Sequence, residues 1–337
     1  MTIAVVGTGS CGRRHLANLL SLDQNDLIAV SEHHKIDSLV VNETTIPVSH
    51  DFDALLRSSG SIDTVFICNP SSMHIDYLAK SLKADKNVYL EKPVAVNLGQ
   101  VANLKDLVRS HSTTIAVGHQ FRFHPHLIAL KDKIESGTLG QILSVHALQG
   151  EHIADYHPGE DYRQSYAARN ELGGGVLLTQ IHQLDYLNWL LGPFKDVIAT
   201  NQESNSLGLD VEENVSYLMR NQEGVVVYGH VDFLRRPKHA SLTISGTKGI
   251  IEWRYYENTL TWVASDPQEE PDVSYEPLNR NQLFCDAVTD FLESINQQRN
   301  PRSTLIDGVN SLAIVDAIKT SIATGNNTQI RVFDELS

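Results

Sequence analysis

Residues 7–12 read Gly-Thr-Gly-Ser-Cys-Gly, a G-x-G-x-x-G pattern set between two periodic stretches. A short apolar run at residues 3–6 precedes it, and residues 12–22 follow with Leu16, Leu19 and Leu20 on one helical face. A strand, a glycine turn and a helix in this order leave few folds open. Gly7 permits the tight turn, Gly9 lets backbone approach a pyrophosphate, and Gly12 allows the helix to pack closely on the strand. Thr8, Ser10 and Cys11 complete the turn, where unpaired N–H groups at a helix N-terminus favour an anion. The second half of a dinucleotide fingerprint is an acidic residue about 20 residues on that binds the adenosine ribose. Glu32 occupies that position, just beyond the apolar run at residues 27–30. Its carboxylate repels a 2′-phosphate, which favours NAD. His33 follows directly with His34 and Lys35, a source of positive charge that leaves NADP open.

The first 120 residues continue as βαβ units, with buried-strand runs at residues 64–68, 87–90 and 114–117 and helical spacing at 75–84 and 98–110. Residues 1–120 are therefore expected to form a Rossmann domain with a doubly wound parallel sheet. Residues 121–337 read as an α/β domain with an open, mostly antiparallel sheet. Its strands are expected at 215–219, 225–230, 241–245, 250–255 and 259–263, separated by turn signals as in a meander. Helical stretches at 175–191, 282–295 and 307–324 are available to cover one face. The other face predicts a homodimer or homotetramer.

With 337 residues the chain is long enough for two such units. Its 27 Lys and Arg against 41 Asp and Glu give a net charge of −14, which argues against nucleic acid as a partner. No run approaches the roughly 18–20 apolar residues of a membrane span. The first residues carry no basic leader or cleavage signal, so a cytoplasmic location is expected. Cys11, Cys68 and Cys285 lack paired spacing and suggest neither a disulfide framework nor a metal site.

Asn69-Pro70, His74 and Glu91-Lys92-Pro93 form a further constellation, which continues through residues 118–125 and through Gly173-Gly174-Gly175 to His182 and Asp185. Together with the glycine fingerprint it resembles the family of glucose-fructose oxidoreductase, inositol dehydrogenase and rhizopine-catabolism oxidoreductases (Gfo/Idh/MocA). The resemblance implies a nicotinamide-dependent dehydrogenase acting on a secondary alcohol or ketone of a sugar, polyol or sugar derivative. It places Lys92 beside the reacting carbon and His182 as general acid and base. It adds Asn69, Pro70, His74, Glu91, Lys92 and Gln120 to the cofactor contacts.

One departure stands out, because Thr179 occupies the place where many members carry an aspartate. Its hydroxyl can hydrogen-bond a substrate but cannot take a proton at neutral pH. Asp185 is read as orienting a neighbouring group. Glu151-His152 and residues 157–169 are rich in donors and acceptors, so His152, Tyr162, Arg163 and Arg169 join Arg122, Thr179 and His182 as candidate substrate contacts. This segment resembles a branch associated with surface-polysaccharide sugars, including acidic nine-carbon sugars. Two other readings stay open: a non-catalytic dinucleotide-binding regulatory protein of the same fold, and a hydrolase of the family's glycosidase branch, whose longer signatures are absent.

Overall fold

The computed structural model describes residues 1–32, 36–58, 62–102, 104–202, 206–268, 270–275 and 277–334. Two compact units emerge, the first built from residues 1–120 and 280–309, the second from 121–279 and 310–332.

The first unit contains β1 (Ile3–Val6), β2 (Leu27–Val30), β3 (Ser38–Val41), β4 (Thr44–Ser49), β5 (Thr64–Ile67), β6 (Asn87–Leu90) and β7 (Ile115–Val117). They form one sheet in the order β3-β4-β2-β1-β5-β6-β7. All neighbouring pairs from β4 to β7 are parallel, while β3 returns antiparallel on β4. The central strands are buried on both faces, which is why they read as unbroken apolar runs rather than alternating ones. The hairpin β3–β4 was not among the expected strands; β3 alternates exposed and buried residues, as an edge strand does.

Helix Arg280–Gln297 corrects one expectation. It belongs to the first unit and covers the parallel sheet, not the antiparallel one. The cause is aromatic: Phe291 packs edge-on against Phe66 and Tyr89 at 5.7 and 5.6 Å, and the Arg14 guanidinium lies 4.6 Å from the Phe284 ring.

The second unit holds β8 (Ile142–Gly150), β9 (Phe194–Asn201), β10 (Asn214–Asn221), β11 (Val226–Asp232), β12 (His239–Gly246), β13 (Gly249–Arg254), β14 (Thr259–Ala264), β15 (Asp272–Tyr275) and β16 (Thr328–Gln329). The order β15-β14-β13-β12-β8-β11-β10-β9-β16 departs from a plain meander, because β8 enters between β11 and β12 and runs parallel to β11. Every other neighbouring pair is antiparallel. On the covered face, Gln183 of helix His182–Leu191 accepts from the Tyr217 hydroxyl at 2.6 Å. Ser321 of helix Leu305–Thr324 accepts from the Ala199 N–H at 2.9 Å. The opposite face leaves Leu143, Ile198, Leu218, Tyr228, Ile250 and Val263 exposed. Among the described residues, no helix is long and apolar enough to cross a membrane.

Candidate active site

In the first unit the motif residues collect beyond the carboxyl ends of β1, β2, β5, β6 and β7. The chain passes from β1 to β2 on one side and then crosses to β5 on the other, so β1 is the switch point where such sheets bind ligands. Gly7 has φ +100°, and a Cβ there would lie 2.8 Å from the Cys68 carbonyl. A Cβ on Gly12 would fall on the Gly7 carbonyl, whereas nothing lies within 4 Å of the position a Cβ would take on Gly9. The turn is thus closed from behind and open at Gly9. Helix Ser10–Ser21 starts there with no side-chain cap and no acidic residue in its first turn. That cradle fits a pyrophosphate.

Glu32 is exposed at the end of β2, where its carboxylate accepts from the Phe52 N–H at 3.3 Å and from the Tyr77 hydroxyl. His33 lies outside the described residues. Thr8 and Ser31 bring their hydroxyls to 3.5 Å of each other beside the turn. Asn69 keeps both polar atoms of its amide buried without a hydrogen-bond partner, one residue before Pro70.

His74 has a role that its sequence position did not reveal. Its Nδ1 lies 2.7 Å from the Pro93 carbonyl and its Nε2 3.0 Å from the Asn69 carbonyl, so the ring ties the loop after β5 to the loop after β6. Burial lowers its pKa.

Glu91 is the hub beneath this crevice. Its Oε1 accepts from His15 Nε2 at 2.7 Å and its Oε2 from the Lys92 N–H at 3.2 Å. Gly118 makes room for the carboxylate, since a Cβ there would come within 3.0 Å of it. Burial alone would raise the Glu91 pKa, but the His15 hydrogen bond and charge hold it at about 2. Burial likewise works against the His15 cation, yet hydrogen bonds to Cys11 and Glu91 raise its pKa to about 9. Lys92 precedes Pro93 through a cis peptide bond and is half-buried. Gln120 is buried beyond β7.

Cys11 and Cys68, remote in sequence, meet here. The Cys68 hydrogen bond lowers the Cys11 pKa to about 7, while burial raises that of Cys68.

In the second unit the three glycines shape the approach to His182. Gly173 and Gly175 have φ of +84° and +105°, and a Cβ on Gly174 would lie 2.6 Å from the Tyr166 and Ala167 carbonyls. The loop at residues 166–169 therefore folds directly onto the chain leading to His182. The expected continuous helix over 175–191 is interrupted at Gln180, which ends helix Val176–Thr179 and donates its amide to the Tyr156 hydroxyl at 2.8 Å. His182 opens helix His182–Leu191, buried, with its ring edge-on to Phe121 at 5.2 Å; Thr179 is buried as well.

Arg122 is placed differently from the expectation of a substrate contact. Its guanidinium is buried on Asp185, with Nη2 at 2.8 Å and Nε at 3.1 and 3.2 Å, and Ser311 adds a hydroxyl to Asp185 at 3.3 Å. Asp185 thereby has the orienting role expected of it. His152 caps the turn Ile153–Asp155 through Nδ1, with the Tyr162 ring 6.3 Å away. Arg163 stacks on Tyr162 at 4.6 Å and Arg169 pairs with Glu171, both exposed.

Two family models match: residues 1–119 fit the NAD-binding Rossmann fold of the GFO_IDH_MocA oxidoreductase family, and residues 131–330 fit its C-terminal alpha/beta domain. The chain belongs to the Gfo/Idh/MocA family. Among its relatives, myo-inositol 2-dehydrogenase of Thermotoga maritima is 25% identical, with 96% of each chain covered. The 2,7-anhydro-N-acetylneuraminate hydratase of Escherichia coli is 24% identical over 95% of this chain and 92% of that protein. Among solved structures, levoglucosan dehydrogenase in complex with NADH and levoglucosan superimposes with a TM-score of 0.87 at 18% identity, covering 99% of this chain and 100% of that one. This Gfo/Idh/MocA protein is thus an oxidoreductase with an NAD-binding Rossmann domain and the family's C-terminal fold.

Proposed function

We propose that this protein is an NAD-dependent dehydrogenase of a sugar, polyol or sugar derivative, interconverting a secondary alcohol and a ketone. The observation that carries the reading is Lys92 at the carboxyl end of β6, its backbone held by Glu91 in the same crevice as the glycine turn. Residues 7–12, Glu32 and the Asn69–Pro70 loop would hold the dinucleotide, with His74 and Glu91 setting the loops around it. A bound nicotinamide supplies hydride exchange.

Lys92 is assigned to hold the reacting oxygen by hydrogen bond and charge, and His182 to take up and return its proton. Thr179 hydrogen-bonds a substrate hydroxyl in place of the family's aspartate. His152, Tyr162, Arg163 and Arg169 remain candidate contacts with outlying substrate groups. Relatives named for inositol, levoglucosan and an anhydro-N-acetylneuraminate support a carbohydrate, and the last agrees with a substrate among acidic nine-carbon sugars. A cytoplasmic location is proposed on the sequence alone, since the three cysteines lack paired spacing.

The test is a fluorescence titration with NADH and NADPH, then a scan for NADH formation across free sugars, sugar acids and nucleotide sugars. Turnover on any of these classes is expected. Tight cofactor binding without turnover on the whole panel would return the protein to a non-catalytic, dinucleotide-binding role.

Glu32→Ala is expected to weaken NAD about tenfold and NADP less, because only NAD offers both ribose hydroxyls to a carboxylate. Tyr77→Phe, which keeps the carboxylate, serves as the control for its packing. A larger loss for NADP would overturn the cofactor preference.

The exposed sheet face is proposed as a contact between copies of the chain. In register, Leu218 lies between Ile198 and Tyr228, so three apolar side chains form one patch across β9, β10 and β11. Light scattering should find a dimer or tetramer for the wild type and a monomer for Leu218→Glu/Tyr228→Glu. A monomeric wild type at micromolar concentration would remove this proposal.

A further inference from the structure

Cys11, His15 and Cys68 form a cluster whose side chains take no part in the hydride and proton transfer proposed above, although the Cys11 backbone belongs to the glycine turn. Each offers a donor atom, and these atoms all lie within 4.8 Å of one another. Cys11 and His15 are four residues apart on helix Ser10–Ser21 and share one face, and Cys68 arrives from the residue after β5. His15 is fully buried, and its Nε2 is committed to Glu91 Oε1 at 2.7 Å. Its Nδ1 is buried, with no hydrogen-bond partner outside the cluster itself.

We propose that Cys11, His15 and Cys68 bind a zinc-class divalent cation, with Glu91 as the outer partner that orients His15. Two sulfurs and one imidazole nitrogen are the soft donor set such ions select. Ligands at about 2.3 Å (sulfur) and 2.0–2.1 Å (nitrogen) in a tetrahedron stand roughly 3.5–3.8 Å apart, so closure from within 4.8 Å needs at most about 1.3 Å of side-chain adjustment. The Glu91–His15 hydrogen bond is the carboxylate–histidine arrangement that fixes ring orientation at metal sites and leaves the other nitrogen for the ion. Two thiolates cancel a divalent charge, so the occupied site buries no charge beyond that of Glu91. The sulfurs come from a helix turn and a strand end, both in the rigid centre of the parallel sheet.

Full-length protein, reduced and stripped with chelator, is titrated with Co²⁺ and followed by absorption. One equivalent is expected to give the visible bands of tetrahedral cobalt with a near-ultraviolet thiolate-to-cobalt transition, both removed by Zn²⁺. Cys11→Ser and Cys68→Ser should each weaken binding more than about 100-fold, beyond the range seen for outer partners. Cys285→Ser should leave it unchanged. Circular dichroism of the metal-free variants reports their folding, and the two serine variants alter different elements, so either one that folds decides the matter. Absence of a one-equivalent thiolate signal in the wild type overturns the proposal, as does a signal that survives in a folded serine variant or disappears with Cys285→Ser. The readout is spectroscopic, so it stands or falls separately from the sugar dehydrogenase reading.

Discussion

Lys92→Ala is expected to lower turnover at least about 10²-fold while leaving dinucleotide affinity within about tenfold. The separation follows from how the residue is held. Its backbone N–H is anchored on Glu91 Oε2 at 3.2 Å, and Glu91 is itself fixed by His15 at 2.7 Å and by the space that Gly118 leaves. None of these contacts uses the lysine side chain, so they survive truncation while the ammonium is removed. The glycine turn and Glu32, which account for cofactor affinity in the proposed reading, belong to other strands. NADH fluorescence titration and steady-state kinetics on the same preparation measure both quantities. Parallel losses would assign Lys92 a structural role and remove it from the chemistry.

What could be read from the sequence was what is local. The glycines at positions 7, 9 and 12 act within one turn, and that turn matches its expectation in detail, from the positive φ of Gly7 to the open approach at Gly9. Glu32 was readable for the same reason, since a fixed strand length places it at the end of β2. Contacts set by topology were not. Nothing near Cys11 announces Cys68, because only the crossover from β2 to β5 brings the strand end beside the glycine turn. His74 was found by motif, yet its two backbone contacts depend on where β6 delivers Pro93. Helix Arg280–Gln297 showed its apolar face, but not which sheet that face would meet; Phe284 and Phe291 settle this through aromatic partners more than 180 residues earlier in the chain. Strand β8 escaped notice between β11 and β12 for a related reason, since a parallel neighbour leaves no turn signal.

Arg122 presents the largest expected effect on stability. Sequence could treat it as a substrate contact because an arginine fork suits carboxylates wherever they come from; here the carboxylate is Asp185, and neither side chain is more than 3% exposed. Removing one member of a buried pair leaves the other charge in a low-dielectric site, at a cost of about 3–5 kcal/mol. Arg122→Ala should therefore unfold the second unit at markedly lower denaturant. The three tryptophans, Trp189, Trp253 and Trp262, all lie in that unit, so intrinsic fluorescence follows its unfolding selectively. Replacing both partners by apolar residues of similar size, Arg122→Met with Asp185→Leu, should recover most of the loss, since neither charge is then stranded. A single-variant cost below about 1 kcal/mol would place the pair in the range of exposed ion pairs and return Arg122 to the list of residues free to contact substrate.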